Sequence, residues 1–223
     1  MSYLRLLRAR LILASFLILS VLLVAFPRID IGVSSLFFDH GFHLRTQWWA
    51  IGLHESVTWF LRLSVVAVLG IYAFNRLAGR RLCGVDGRKV IFLALVLIIG
   101  SGLTVNLAFK DHFGRARPRD IVEFGGTRHF TPPFVIAHEC EQNCSFSSGD
   151  GAGAFFSMAL ALALSKRRWV FVAAVAYASL VSFSRIASGA HFFSDSLVSF
   201  YVMLICTDVL YFYLLAPRNA ADG

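Results

Sequence analysis

Charge is scarce in this sequence: 15% of its 223 residues are Asp, Glu, Lys or Arg, while 57% are hydrophobic. Soluble domains carry about a quarter of their residues as charged side chains, so a water-soluble globule is excluded and a bilayer is the natural solvent. Proline is rare, with 5 residues, and no linker, internal repeat or low-complexity segment divides the chain. A single domain over residues 1–223 follows. Acidic residues are outnumbered 13 to 21 by basic ones, but the basic side chains are dispersed among connections instead of forming one face, which argues against a nucleic-acid partner. With 4 cysteines there is no dense disulfide framework; Cys140 and Cys144, spaced C-x3-C, are a candidate bridge, and Cys83 and Cys206 are not.

Long apolar runs are what the chain has in quantity. A span of the hydrocarbon core takes about 20 such residues in a helix, and six runs qualify, at about 11–26, 56–74, 90–109, 149–164, 169–184 and 195–216. Arg5, Arg8 and Arg10 before the first run resemble the start of a signal peptide. The following Ala25-Phe26-Pro27-Arg28 is no small-residue cleavage site, so the first run is expected to remain as a helix. The fold class is therefore all-α, a polytopic six-helix transmembrane bundle.

Basic residues orient it. Arg5, Arg8 and Arg10, then Arg76, Arg80, Arg81, Arg88 and Lys89, then Lys166, Arg167 and Arg168 mark the cytoplasmic side by the positive-inside rule. Both termini are then inside, and the segments 27–55, 110–148 and 185–194 face outward. Residues 29–54, with Leu36-Phe37-Phe38 and Trp48-Trp49, suit a piece lying in the outer interface. The 110–148 segment breaks the charge rule with Lys110, Arg115, Arg117, Arg119 and Arg128, which demand a reason other than topology.

The same up-and-down path sends four polar clusters to one side: Lys110 to Pro118, Ser147 to Asp150, Ser184-Arg185, and His191 to Asp195. Lys110, Arg117 and Arg185 gathered at one boundary call for an anion, and phosphate fits forked guanidinium donors, a compact ammonium and the amides at Ser148-Gly149. Headgroup snorkelling explains any one of these cations but explains the set poorly. Gly149, Gly151 and Gly153 serve either close approach of phosphate or close helix packing. His191 and Asp195 are four apart, so on one helix face the carboxylate could hold one imidazole nitrogen and free the other to attack. A metal site among His112, His129, His138, His191, Asp111 and Asp150 lacks any recognised ligand spacing, so neither metal nor cofactor is expected.

Together these residues resemble the type 2 phosphatidic acid phosphatase (PAP2) family, whose motifs run K-x6-R-P, P-S-G-H and S-R-x5-H-x3-D. Lys110 with Arg117-Pro118 fits the first and Ser184-Arg185, His191 and Asp195 fit the third, spacing included. The resemblance implies that Lys110, Arg117 and Arg185 bind phosphate, that Ser148 and Gly149 line its pocket, and that His191 is the nucleophile oriented by Asp195. The second motif departs: it reads Ser147-Ser148-Gly149-Asp150, so an aspartate stands where the family has the histidine that protonates the leaving group. Asp150 is the first candidate to replace it, with His138, His129 or His112 as stand-ins.

The expected activity is that of a bacterial inner-membrane lipid phosphatase, acting at the periplasmic face through a phosphohistidine. Its expected substrate is a phosphorylated lipid similar to that of the lipid A phosphatases. Undecaprenyl pyrophosphate and phosphatidylglycerol phosphate are alternative substrates. Transfer of the phosphoryl group to a second lipid, or binding and transport without chemistry, are alternative functions. The sequence leaves open whether Arg115, Arg119 and Arg128 read a larger headgroup.

Overall fold

A computed structural model describes residues 3–110 and 112–216, with side chains from Leu7 onward. Asp111 and the side chain of Arg5 lie outside the described residues. Seven helices carry the fold: α1 (Tyr3–Ala25), α2 (Arg28–Ser35), α3 (Trp48–Ala78), α4 (Gly87–Lys110), α5 (Gly149–Leu164), α6 (Arg168–Ala187) and α7 (Phe193–Leu214). Among the described residues there is no strand, only one isolated bridge between Ile121 and Arg128.

α5 is the axis of the bundle, packed by α3, α4, α6 and α7. From Gly151 to Ala163 only Leu160 and Leu162 are not fully buried. Its sequence alternates small and large residues, and one small residue sets the closest approach. A Cβ on Gly153 would lie 2.8 Å from Val57 Cγ1 and 3.2 Å from Leu61 Cδ1 of α3, so close helix packing is what this glycine does. Ser148 caps the helix, its hydroxyl accepting from the Gly151 amide at 3.1 Å, which satisfies one of the open donors of the first turn. α1 lies against α7 through Phe16 on Tyr201, ring centroids 5.2 Å apart, and an Arg8–Asp208 ion pair at 2.6 Å.

The outer surface is apolar. Leu11, Leu17, Ile18 and Val21 of α1, Leu63 and Val66 of α3, and Leu103 and Leu107 of α4 are all exposed, a band that water would not tolerate and lipid would. Five helices, α1, α3, α4, α6 and α7, are long and apolar enough to cross a membrane. The sixth expected span, α5, has 16 residues and a length of roughly 24 Å at 1.5 Å per residue, short of the full hydrocarbon thickness of about 30 Å.

Two local features differ from the sequence expectation. Residues 29–54 do not form one interfacial piece: α2 covers Arg28–Ser35, whereas Trp48 already begins the 31-residue α3. Nothing between Trp48 and Ala78 breaks a helix, and Gly79 ends it in the left-handed region at φ +63, as helix C-termini favour. The second feature is α4, which is α-helical from Gly87 to Leu95 and π-helical from Val96 to Lys110. Within this run Thr104 and Asn106 side chains donate to the carbonyls five residues back, Ile99 and Ser101, both at 2.8 Å. Wide turns of this kind mark functional sites more often than ordinary helix does, and this one ends on Lys110.

The segment between α4 and α5 builds a second small core, in which Ile121, Phe124 and Phe130 meet Phe192 from the turn before α7 and Phe38 and Phe42 from the connection between α2 and α3. Cys140 and Cys144 form a disulfide in this segment, Cα–Cα 5.6 Å. The segment is thereby a fixed platform at the end of the bundle where α4, α6 and their successors begin and end.

Candidate active site

At that end a polar cleft of about 360 Å³ opens, lined by Lys110, Arg117, Arg185, Asp150 and His191, and also by Arg45, His54 and Arg119. They come from helix ends, from the platform and, for Arg45, from the turn before α3. Lys110 closes α4, Asp150 sits in the first turn of α5, Arg185 in the last turn of α6, and His191 precedes α7. The four polar clusters read from the sequence therefore meet in one place.

Arg117 is held by carbonyls, not carboxylates. Its Nε and Nη2 donate to Asn143 O at 3.2 and 2.7 Å, and Nη1 to Ala190 O at 3.4 Å. Burial, with the like charges of Arg119 and Arg185 nearby, pushes its pKa down to about 10, so it remains a cation at neutral pH. A guanidinium oriented by neutral acceptors keeps its charge available to a ligand.

His191 is 1% exposed, and its Nδ1 lies 2.8 Å from Ser145 O. A carbonyl only accepts, so Nδ1 carries the proton and Nε2 holds the lone pair. Burial lowers the His191 pKa below the ordinary histidine value, which favours the neutral ring with a free Nε2 lone pair. Asp195 was expected to hold this imidazole directly, as its neighbour on one helix face. The structure corrects that geometry. α7 begins only at Phe193, leaving His191 in the preceding turn, and the Asp195 carboxylate is 3.7 Å from Nδ1, beyond hydrogen-bond reach though close enough to favour a developing imidazolium.

Asp195 instead ties the platform to α7. It accepts from Arg115 Nη1 at 2.5 Å, from Ser145 Oγ at 2.5 Å and from the Phe192 amide at 2.8 Å. Ser145 is thus fixed by Asp195 through its side chain while its carbonyl fixes His191, an indirect orientation of the imidazole. Arg115 is 1% exposed and also donates to Asp30 of α2 at 2.8 Å, to Ser194 Oγ at 2.8 Å and to Thr131 O at 2.8 Å. It is a structural clamp and reads no headgroup. Arg128 is exposed and lies outside the cleft, whereas Arg119 lines it.

Gly149 fits against Lys110: a Cβ there would lie 2.9 Å from Asn106 Oδ1 and 3.5 Å from Lys110 Nζ. Ser148 is fully buried as the α5 cap, so its side chain serves the helix start and not the cleft wall. Asp150 Oδ2 is 2.9 Å from Arg185 Nε and 3.3 Å from His54 Nδ1. The Arg185 contact is an ion pair without a well-aimed N–H. Asp150 is thus the counter-ion of Arg185, with the His54 ring beside it. Among the described residues no group of three or more His, Cys, Asp or Glu side chains is placed to hold a metal, and His112, His129 and His138 stand outside the cleft.

Comparison with known proteins sharpens this picture. The PAP2 superfamily model matches residues 90–218. The chain belongs to the PAP2 superfamily. A curated relative, the lipid A 4'-phosphatase of Francisella tularensis subsp. novicida, is 33% identical over 199 residues, covering 86% of this chain and 88% of that protein. The Rhizobium etli lipid A 4'-phosphatase is 39% identical over 121 residues, 50% of this chain and 47% of that one. Among solved structures, a transmembrane PAP2-type phosphatidylglycerolphosphate phosphatase from Bacillus subtilis superposes with a TM-score of 0.64 at 21% identity, covering 92% and 94% of the two chains. That likeness establishes the PAP2 fold, and family membership bears out the enzyme class read from the sequence, a hydrolase of the phosphatase type.

Two contributors to this PAP2 cleft were not read from the sequence. His54 and Arg45 precede the family-matched region and reach the cleft through α3 and the turn before it. A histidine early in a long apolar helix was the available signal for His54. Arg45 carried none beyond its charge.

Proposed function

We propose that the protein is a metal-independent inner-membrane phosphatase that removes the 4'-phosphate of lipid A at the periplasmic face, through a phosphohistidine on His191. The observation that carries the reading is the meeting of Lys110, Arg117, Arg185 and His191 around one cleft. Three cations bind the phosphate and neutralise the charge that grows on its equatorial oxygens, which is the work a metal would otherwise do. The neutral His191 ring attacks phosphorus, the bond to the lipid oxygen breaks, and water later releases inorganic phosphate.

The substrate is supported by the relative that is 33% identical across most of both chains and is named a lipid A 4'-phosphatase. Arg45 and Arg119, further cations on the cleft wall, suit a headgroup with more than one negative charge. The orientation is supported by charge and path. The turns after α3 and α5, rich in Arg and Lys, lie at one end of the bundle and the cleft at the other, so the positive-inside rule turns the cleft outward. With α5 as a short sixth crossing, both termini lie in the cytoplasm, and the Arg8–Asp208 pair joining the first turns of α1 to the last of α7 suits that arrangement.

The test is phosphate release by detergent-solubilised protein from lipid A, undecaprenyl pyrophosphate and phosphatidylglycerol phosphate, with EDTA present and His191→Ala alongside. Release from lipid A that survives EDTA and vanishes in the variant is the expected outcome. Preference for another lipid would reassign the substrate. Binding without release, or label passed to a second lipid, would replace hydrolysis with transport or transfer.

A further inference from the structure

Expelling a sugar or alkyl oxygen from phosphorus leaves an alkoxide, a poor leaving group unless a proton reaches it as the bond breaks. If the cleft cleaves phosphate esters as proposed above, one of its walls must supply that proton. The ionisable groups on those walls are Arg45, His54, Lys110, Arg117, Arg119, Asp150, Arg185 and His191. Guanidinium and ammonium groups keep their protons near neutrality. His191 is the nucleophile, and its Nδ1 proton is committed to Ser145 O at 2.8 Å. Asp150 is paired with Arg185 at 2.9 Å and His54 at 3.3 Å. His54 remains.

We infer that His54, on α3 and outside the region that carries the three motifs, is the acid that protonates the leaving oxygen, with Asp150 as the residue that positions it. The placement supports this directly. His54 lies one helical turn after Ala50 and Ile51, which line the same cleft, so the opening of α3 faces the reacting centre. Its side chain is 46% exposed, open to a substrate from the cleft. The Asp150 carboxylate, 3.3 Å from Nδ1, holds that nitrogen toward the protein and leaves Nε2 for proton transfer. Gly153 lets α3 approach α5 closely, with Val57 and Leu61 against it, and this brings His54 within reach of Asp150.

In the first step the His191 Nε2 lone pair forms the N–P bond, the P–O bond to the lipid breaks, and its electron pair takes the His54 Nε2 proton, so the lipid leaves as an alcohol. In the second step the now neutral His54 takes a proton from water as the water oxygen attacks phosphorus. The N–P electrons return to His191, and phosphate departs with His54 protonated again.

The test compares an alkyl ester, dodecyl phosphate, with 4-nitrophenyl phosphate, whose nitrophenolate departs without a proton. In rapid-mixing experiments on the full-length protein in detergent, His54→Ala should slow the first step with dodecyl phosphate by about 10²–10⁴-fold. The nitrophenolate burst should stay within tenfold of wild type, followed by slow turnover because the second step lacks its base. Asp150→Asn should show the same split to a smaller degree. The burst itself reports a folded site. Should His54→Ala not accumulate in the membrane, His54→Gln is expected to give the same split. Equal slowing of the first step for both esters, or for neither, overturns the role of His54. Wild-type protein that cleaves neither ester, nor lipid A, overturns the phosphatase reading instead.

Discussion

Replacing Arg115 by methionine tests the division drawn between clamp and ligand-binding cations. The side chain is buried, it bridges Asp30 at 2.8 Å and Asp195 at 2.5 Å, and its guanidinium stacks 4.2 Å from the Phe192 ring. Methionine preserves much of the stem volume but strands two carboxylates that are 1% and 0% exposed. Removing one partner of a buried ion pair costs about 3–5 kcal/mol, and a chain of this size loses about 2–4 °C of midpoint per kcal/mol, so the melting midpoint in detergent should fall by about 6–20 °C. Adding Asp30→Asn removes one stranded charge and should restore part of that loss, a coupling that a double-mutant cycle measures. kcat should fall as well, because Asp195 fixes Ser145, whose carbonyl holds His191. A variant that melts within about 2 °C of wild type while its KM rises would refute the reasoning and return Arg115 to the headgroup.

Further outcomes follow from the same geometry. Burial lowers the His191 pKa, so the neutral ring persists as pH falls through 6.5 and, with His191 as the proposed nucleophile, the acid limb of kcat/KM should lie below the ordinary histidine value of about 6.5; a limb above it would contradict the buried, carbonyl-bound ring. Arg117, lowered to about 10, stays charged across the neutral range, so inhibition by inorganic phosphate should weaken only as pH approaches 10, and loss by pH 8 would remove Arg117 from the anion site. Gly149→Ala places a Cβ 2.9 Å from Asn106 Oδ1 and 3.5 Å from Lys110 Nζ; displacing that ammonium should raise KM about tenfold, the worth of ~1.5 kcal/mol for one charged hydrogen bond, with melting little changed. Gly153→Leu drives a side chain into Val57 and Leu61 and should cost about 1–3 kcal/mol of stability by overpacking, with first-step rates on alkyl esters falling more than those on nitrophenyl esters as His54 moves away.

Much of this was legible from the sequence because helix spans and phosphate chemistry are both local signals. Helix α5 was placed at 149–164, where it lies, and the third motif brought Arg185 and His191 to one cleft by spacing and topology alone. What escaped depended on tertiary placement. Arg115 and Arg117 are two residues apart in one loop and look alike, yet one turns into a buried carboxylate pair and the other toward the cleft, a distinction set by Asp30, far away in the chain. The π-helical stretch that ends at Lys110 has no compositional signature, since its residues suit an ordinary apolar helix. His54 carried only the faint signal of a polar residue early in an apolar helix, because its partner, Asp150, lies on another helix that packs against α3 beside Gly153.

The most direct measurement is a rapid quench of detergent-solubilised protein mixed with lipid A carrying radioactive phosphate, in EDTA, followed by mapping of the labelled peptide. The expected result is base-stable, acid-labile label on the peptide that holds His191, appearing within one turnover and absent from His191→Ala. Phosphate release that proceeds with no label on the protein at any time, or that requires added metal, would contradict a metal-free phosphohistidine mechanism.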